Sequence, residues 1–345
     1  MTPDEHTLNV APYAAEAVEH RHYLHAHPEP SFEEHATQQY ILERLRALGL
    51  DPRPIADTGV TALVRGTRGS APDKVLLLRA DIDALRLTEE TGLPFASQNP
   101  GVMHACGHDG HTATLLAVAH WLVDHRETFG GTVKLLFQPA EELSPGGAEP
   151  CIKAGILHDP DVTLAFGMHL WNILDFGLVG LRAGPLMAEA DRFSLTVTGR
   201  GAHAATPQLG VDPIVAAAHI ITAAQTIVSR EANPLNSRVV TIGTIEGGSA
   251  FNIIPESVRM TGTLRALSRE DAEAGAASLQ RIAEHTAEAL GATADLDYEF
   301  GYPPVINNAE AVALLRPFLA RAVGEEHVVE PEISMGGEAF AYFLQ

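Results

Sequence analysis

The side chains able to do chemistry recur at one kind of place along this chain. Asp81 and Asp83 follow a short apolar run ending at Arg79, and Cys106, His108 and Asp109 occupy a glycine-bearing loop before a helical stretch. Glu141 and Glu142 follow the run ending at Phe137, and His169 follows the one ending at Gly167. In open α/β sheets, ligands bind beyond the carboxyl ends of the strands, so four separate segments would converge on one rim. Thiolate, imidazole and carboxylate together suit zinc, cobalt, nickel or manganese far better than calcium. An extended Cys106-Gly107-His108 segment would send both side chains to one side. Adjacent glutamates in a strand-like segment would point opposite ways, one towards a metal and the other towards substrate. Each feature alone has a plainer reading: Cys106 as a small buried residue, His169 as a satisfied histidine, the glutamate pair as a solvated turn, and Asp81 and Asp83 as turn caps. Their shared position at strand exits is what favours a metal.

The elements that must carry these residues are legible from periodicity. Runs at 74–79, 132–137 and 162–167 are short and continuously apolar, as strands buried on both faces should be. Helical periodicity covers 14–25, 33–48 and 110–125, with Tyr40, Ile41, Leu45 and Leu48 forming one stripe and Gly49 a stop signal. Alternation of these elements predicts an α/β layer with a largely parallel sheet. After Gly184-Pro185 the texture changes. Residues 192–198 alternate apolar with polar side chains; a helix at 213–229, strands at 238–243 and 257–264, a helix at 269–290 and a strand at 294–300 follow. The order β-α-β-β-α-β is a ferredoxin-like split unit of α+β type. Because 308–323 returns to a core-type helix, the expected division is a discontinuous catalytic domain, 1–184 with 300–345, and an inserted domain, 185–299.

At 345 residues, two domains are expected. With 46% hydrophobic and 19% charged residues the composition is that of an ordinary globular protein. A formal net charge of −21 argues against nucleic-acid and anionic-membrane partners. Two cysteines, Cys106 and Cys151, make no disulfide scaffold. The first ten residues lack the basic and apolar regions of a secretory signal, and no transmembrane run occurs, so a cytoplasmic protein is expected. Gly199-Arg-Gly-Ala-His-Ala204 is only superficially a dinucleotide fingerprint, Gly247-Gly-Ser-Ala-Phe251 lacks the second glycine of a nucleophile elbow, and no Walker-type loop is present. His203, Asn252 and Arg265 are unremarkable taken singly.

The segments Arg21-His-Tyr-Leu-His-Ala-His-Pro28, Leu78-Arg-Ala-Asp-Ile-Asp83, Met103-His-Ala-Cys-Gly-His-Asp-Gly-His111, Phe137-Gln-Pro-Ala-Glu-Glu142, Gly167-Met-His169, Gly199-Arg-Gly-Ala-His-Ala-Ala205 and Asn252-Ile-Ile-Pro255 occur in this order along the chain. Together they resemble the amidohydrolase branch of the M20 metallopeptidases, which holds hippurate-hydrolase-like and auxin-conjugate-hydrolase-like enzymes. The resemblance implies metal ligands at Cys106, His108, Glu142 and His169, and a general base at Glu141. It further implies two divalent transition-metal ions (Mn, Zn, Ni or Co), a lid domain through which subunits form a homodimer, and N-acyl amino acids as small-molecule substrates. His203 would stabilise the oxyanion from a partner subunit, while Asn252 and Arg265 would hold the substrate carboxylate. In this family the last metal ligand is a histidine beyond the Ser334-Met-Gly-Gly-Glu-Ala-Phe-Ala-Tyr-Phe343 motif, and the sequence stops at Gln345, as a C-terminally truncated member would. Ala339 stands where the family usually has aspartate. Two rival functions follow: a metal-binding paralogue that is inactive or impaired for want of that ligand, and a metallo-carboxypeptidase or dipeptidase of the wider family.

Overall fold

The computed structural model describes residues 10–69 and 74–345; the acidic stretch 1–9, read above as lacking a signal, lies outside the described residues. Packing divides the chain into two units, Met1–Phe176 with Tyr342–Gln345, and Gly177–Ala341.

In the first unit, α1 (Ala11–Ala26) and α2 (His35–Ala47) precede a hairpin of β1 (Arg53–Ile55) and β2 (Gly59–Arg65). Next come β3 (Val75–Asp81), α3 (His108–Asp124), β4 (Thr132–Gln138), α4 (Ala148–Lys153) and β5 (Leu164–Gly167). The sheet order is β1-β2-β4-β3-β5. β3 lies parallel to both β4 and β5, whereas β1–β2 and β2–β4 are antiparallel, so the sheet is mixed. The hairpin escapes the periodicity reading because its turn uses Ala56 (φ 47°) and Asp57 (φ 70°) where an Asn-Gly signal would normally advertise it. Every residue of β4 is buried. Its Leu135 and Phe137 pack with Ile41 and Leu45 of α2, Val60 and Val64 of β2, and Leu116 and Ala119 of α3. Each such aliphatic or aromatic side chain contributes roughly 1.5–3 kcal/mol on burial. The parallel register sets Asp81 level with Gln138, and Arg79 level with Gly167. The three ligand-bearing strands therefore end on one edge.

In the second unit, β6 (Val179–Gly180), β7 (Gly184–Met187), β8 (Glu189–Thr198) and β9 (Ala202–His203) lead to α5 (Pro213–Ala224) and β10 (Arg238–Gly247). The chain continues through β11 (Ile253–Ile254), β12 (Ser257–Ala266), α6 (Arg269–Ala289), β13 (Thr293–Tyr302), β14 (Val305–Asn307), α7 (Ala309–Val323) and β15 (Val328–Val329). The main sheet, ordered β10-β12-β8-β13, is antiparallel throughout, the expected ferredoxin-like arrangement. Leu195 and Val197 of β8 and Met260 of β12 pack against Ala216 and Ile220 of α5 and Ala283 of α6. Asp212 caps α5 by accepting the Ile214 and Val215 N–H groups, with Pro213 at the first helical position. That helix ends at Ala224 and is followed by a π-type turn, Ile227–Glu231, so it is shorter than its apolar pattern suggests. Residues 300–341, expected with the catalytic domain, pack in the second unit, where β14 pairs with β7 and β15 with β6. The expectation of a core-type helix at 308–323 is corrected: α7 forms there but buries none of its residues, and Leu314 and Phe318 remain exposed.

Candidate metal centre

The loop after β3, the start of α3 and the exits of β4 and β5 bring the predicted ligands of the first unit together. Cys106 Sγ lies 3.4 Å from His169 Nε2, and His108 Nε2 lies 3.8 Å from Glu142 Oε1. Potential ligand atoms of Cys106, His108 and His169 all fall within 4.8 Å of one another, and the same holds for His108, Glu141 and Glu142. His108 is common to both groups.

Two of the local geometries differ from the sequence expectation. The Cys106–His108 segment is not extended: Gly107 adopts φ 89° and α3 begins at His108, so a left-handed turn produces the convergence. Nor do the two glutamates diverge. Ala140 has φ 49°, which ends the strand geometry before Glu141, and both carboxylates come within reach of His108.

An outer layer of hydrogen bonds fixes these side chains. His108 Nδ1 is 3.0 Å from the Asp83 carbonyl oxygen, so that nitrogen carries the proton and Nε2 is left to face the other ligands. The Asp83 carboxylate also accepts the Ser31 hydroxyl and the Glu142 N–H, at 2.7 and 2.9 Å, tying the glutamate loop to the histidine. Asp81 accepts from Arg79 at 2.7 Å and from His111 Nδ1 at 2.6 Å, while His111 Nε2 accepts the Leu170 N–H at 2.8 Å. Asp81, His108 and His111 also lie close enough to hold an ion. Because Asp81 and His111 are already engaged on both sides, they act as supports for His108 and for the loop bearing His169. His111 escaped the sequence reading, although its position three residues after His108 places it on the same helical face. Asp109, in the first turn of α3, is held by His25 at 2.8 Å and Arg21 at 3.2 Å, which anchors the helix start to α1.

The electrostatics fit a cation. Among the described residues, His108 Nε2 and Glu142 Oε1 are buried without a hydrogen-bond partner, a costly arrangement that a bound ion would relieve. Burial pulls the His108 imidazole down, yet Asp81 and Asp83 outweigh it and hold its proton affinity well above the ordinary value. Burial pushes Glu142 up, against the opposing pull of His108. Burial likewise raises the Cys106 thiol. A cation would draw protons off this donor set on binding. Thiol, imidazole and carboxylate in this number suit divalent transition metals.

His203, Asn252 and Arg265 belong to the second unit, which does not bring all three together. β9 pairs with β11, setting His203 opposite Ile253, and the Ala204 N–H donates to the Asn252 carbonyl at 3.0 Å. His203 and Asn252 thus share an exposed ribbon. Arg265 lies towards the far end of β12, where its Nε donates to Thr263 Oγ1 at 2.9 Å. Eight residue steps along β12 separate Arg265 from Ser257, roughly 26 Å at about 3.3 Å per residue. Burial lowers the Arg265 pKa, with Asp191 opposing.

Residues 77–345 match Peptidase family M20/M25/M40, and the chain belongs to that family. It is 40% identical to the N-acetyl-L-cysteine deacetylase of Bacillus subtilis over 346 residues, covering 100% of this chain and 81% of the relative. It is 40% identical over 312 residues to the N-acyl-L-amino acid amidohydrolase of Geobacillus stearothermophilus, covering 90% of this chain and 83% of that one. Among solved structures it resembles a Bacillus subtilis protein described as a dinuclear metal binding peptidase from the M20 family, with a TM-score of 0.82 and 35% identity over 96% of this chain and 86% of the other.

Proposed function

We propose that this chain is a metal-dependent amidohydrolase that cleaves the amide bond of N-acyl amino acids. The observation that carries the reading is the facing pair of buried, unpartnered atoms, His108 Nε2 and Glu142 Oε1, with Cys106, His169 and Glu141 around them. Cys106, His108, Glu142 and His169 would hold two divalent ions of the Mn, Zn, Ni or Co type. When bound, such ions supply Lewis acidity and make water nucleophilic near neutral pH. Glu141 takes the proton of the attacking water on its carboxylate; as the new C–O bond forms and the C–N bond breaks, it delivers that proton to the leaving amine nitrogen. The products are a carboxylic acid and a free amino acid.

We assign catalysis to the first unit, Met1–Phe176 with Tyr342–Gln345, and a lid and dimer contact to residues 185–299 of the second. His203 donates to the developing oxyanion, a contribution worth ~2.7–4 kcal/mol in other hydrolases. Asn252 and Arg265 orient the substrate carboxylate. The distance between Arg265, near the far end of β12, and the ribbon that precedes β12 supports a homodimer in which the ribbon bearing His203 and Asn252 serves the partner subunit, while Arg265 serves its own. Exposed Phe251 and Ile253 lie on that ribbon and exposed Ile214 lies against Gly248 just before it, consistent with a covered surface in the dimer. Among the described residues no helix is long and apolar enough to cross a membrane, and both cysteines are unpaired, which supports a cytoplasmic location.

The test is hydrolysis of a panel of N-acetyl and longer N-acyl amino acids, with dipeptides alongside, before and after chelation and with each metal restored. Glu141→Gln should abolish turnover while metal content stays unchanged by elemental analysis. Turnover that survives in this variant removes Glu141 as base, and preference for dipeptides would favour a dipeptidase.

A further inference from the structure

Glu34 is fully buried between α1 and α2, and its side chain does something its position does not explain. It sits just before α2, where a carboxylate would ordinarily cap the helix. That role is already filled, because Glu29 accepts the Ala36 N–H at 3.1 Å and the Thr37 N–H at 2.7 Å. Glu34 instead reaches across the fold. Its Oε1 accepts the Ala140 N–H at 2.7 Å, and its Oε2 accepts the Thr58 hydroxyl at 2.6 Å.

Ala140 is the residue that turns the chain out of β4 and aims Glu141. Its φ of 49° is left-handed, a conformation that non-glycine residues adopt only when the surroundings hold them there. The surroundings are tight on two sides: a Cβ on Gly147 would meet the Pro139 oxygen at 2.1 Å, and one on Gly59 would meet Pro139 Cδ at 2.8 Å. Within this packing the Glu34 carboxylate is the partner of the Ala140 N–H.

We infer that Glu34 is a positioning residue for Glu141, its buried carboxylate holding the Ala140 peptide in the left-handed turn that presents the base. This rests on Glu141 being the base, as proposed above. It implies that a residue whose carboxylate is held by Ala140 and Thr58 controls kcat.

The experiment compares the metal-loaded full chain with Glu34→Ala, Glu34→Gln and Glu141→Gln variants, reading kcat, KM, metal content and amide hydrogen exchange at Ala140. Glu34→Ala should lower kcat tenfold or more, with KM within about twofold, unchanged metal content and faster exchange at Ala140. Glu34→Gln, whose amide oxygen can still accept the N–H, should recover most of kcat. If Glu34→Ala fails to fold, Glu34→Ala with Ala140→Gly is compared with Ala140→Gly alone, because glycine tolerates the positive φ without being held there; equal kcat in the two overturns the inference. A normal kcat in Glu34→Ala, or a loss of kcat in parallel with metal content, overturns the inference while leaving an inactive Glu141→Gln to uphold the base. An active Glu141→Gln overturns both.

Discussion

A cysteine, two histidines and two glutamates are individually common; what sets them apart here is the state of their atoms. His108 donates through Nδ1 to a backbone carbonyl, which leaves Nε2 committed to the inner face of the site. Cys106 is a thiol raised by burial and gains its anionic form only if a cation replaces the proton. Cys106→Ala should therefore reduce the metal bound per chain at equal free metal, measured after dialysis; an unchanged content would exclude Cys106 as a ligand. Residue type and position at the strand exits mark out the candidate donors. The supports are not marked out in this way. Asp81 and Asp83 offered the plain reading of turn caps, and only coordinates reveal that Asp83 joins His108, Ser31 and the Glu142 backbone in one network.

At the scale of elements, continuous apolar runs revealed β3 and β4, which lie inside the sheet and are largely covered, whereas β5, read from a similar run, is an edge strand with no buried residue. β1 and β2 went unread because their turn is built from Ala56 and Asp57, whose positive φ angles have no glycine to announce them. β8 carries a buried feature that alternation alone disguises. Glu189 and Asp191 share one face of this strand with no exposure, and Arg269 lies 2.7 Å from the Glu189 carboxylate. Burial, then the neighbouring Asp191, push Glu189 up to about 8 from 4.5. The folded chain therefore binds a proton that the unfolded chain has released between those pH values, so the Glu189 contribution to stability declines as pH rises through that window. Glu189→Gln should flatten the decline, and urea titrations at pH 5, 7 and 9 would show it. A slope identical to the wild type would mean that Glu189 is ionised in the fold.

At the scale of the whole molecule, the residues proposed to act on substrate are spread over the second unit. His203 and Asn252 lie on a ribbon at one end of the second unit's sheet, and Arg265 lies near the other. A dimer resolves the division if the partner subunit's His203 completes the site that contains Glu141. Mixing inactive His203→Ala with inactive Glu141→Gln subunits should then restore about a quarter of wild-type activity, from the one fully competent site in each mixed dimer, where half the dimers are mixed. No recovery on mixing, once subunit exchange is verified by light scattering of tagged chains, would confine His203 to its own subunit or remove it from catalysis.

Residue types and their order along the chain determined the donor chemistry, the strand exits at which it sits and the β-α-β-β-α-β plan of the second unit. All three are local or periodic properties, and a linear sequence records such properties directly. Tertiary structure alone decided which way the glutamates face, which histidines gather at the candidate centre, and that a carboxylate 106 residues upstream accepts the Ala140 N–H. Those outcomes depend on left-handed turns at Gly107 and Ala140 and on hydrogen bonds between distant segments. Their partners become neighbours only once the sheet has assembled.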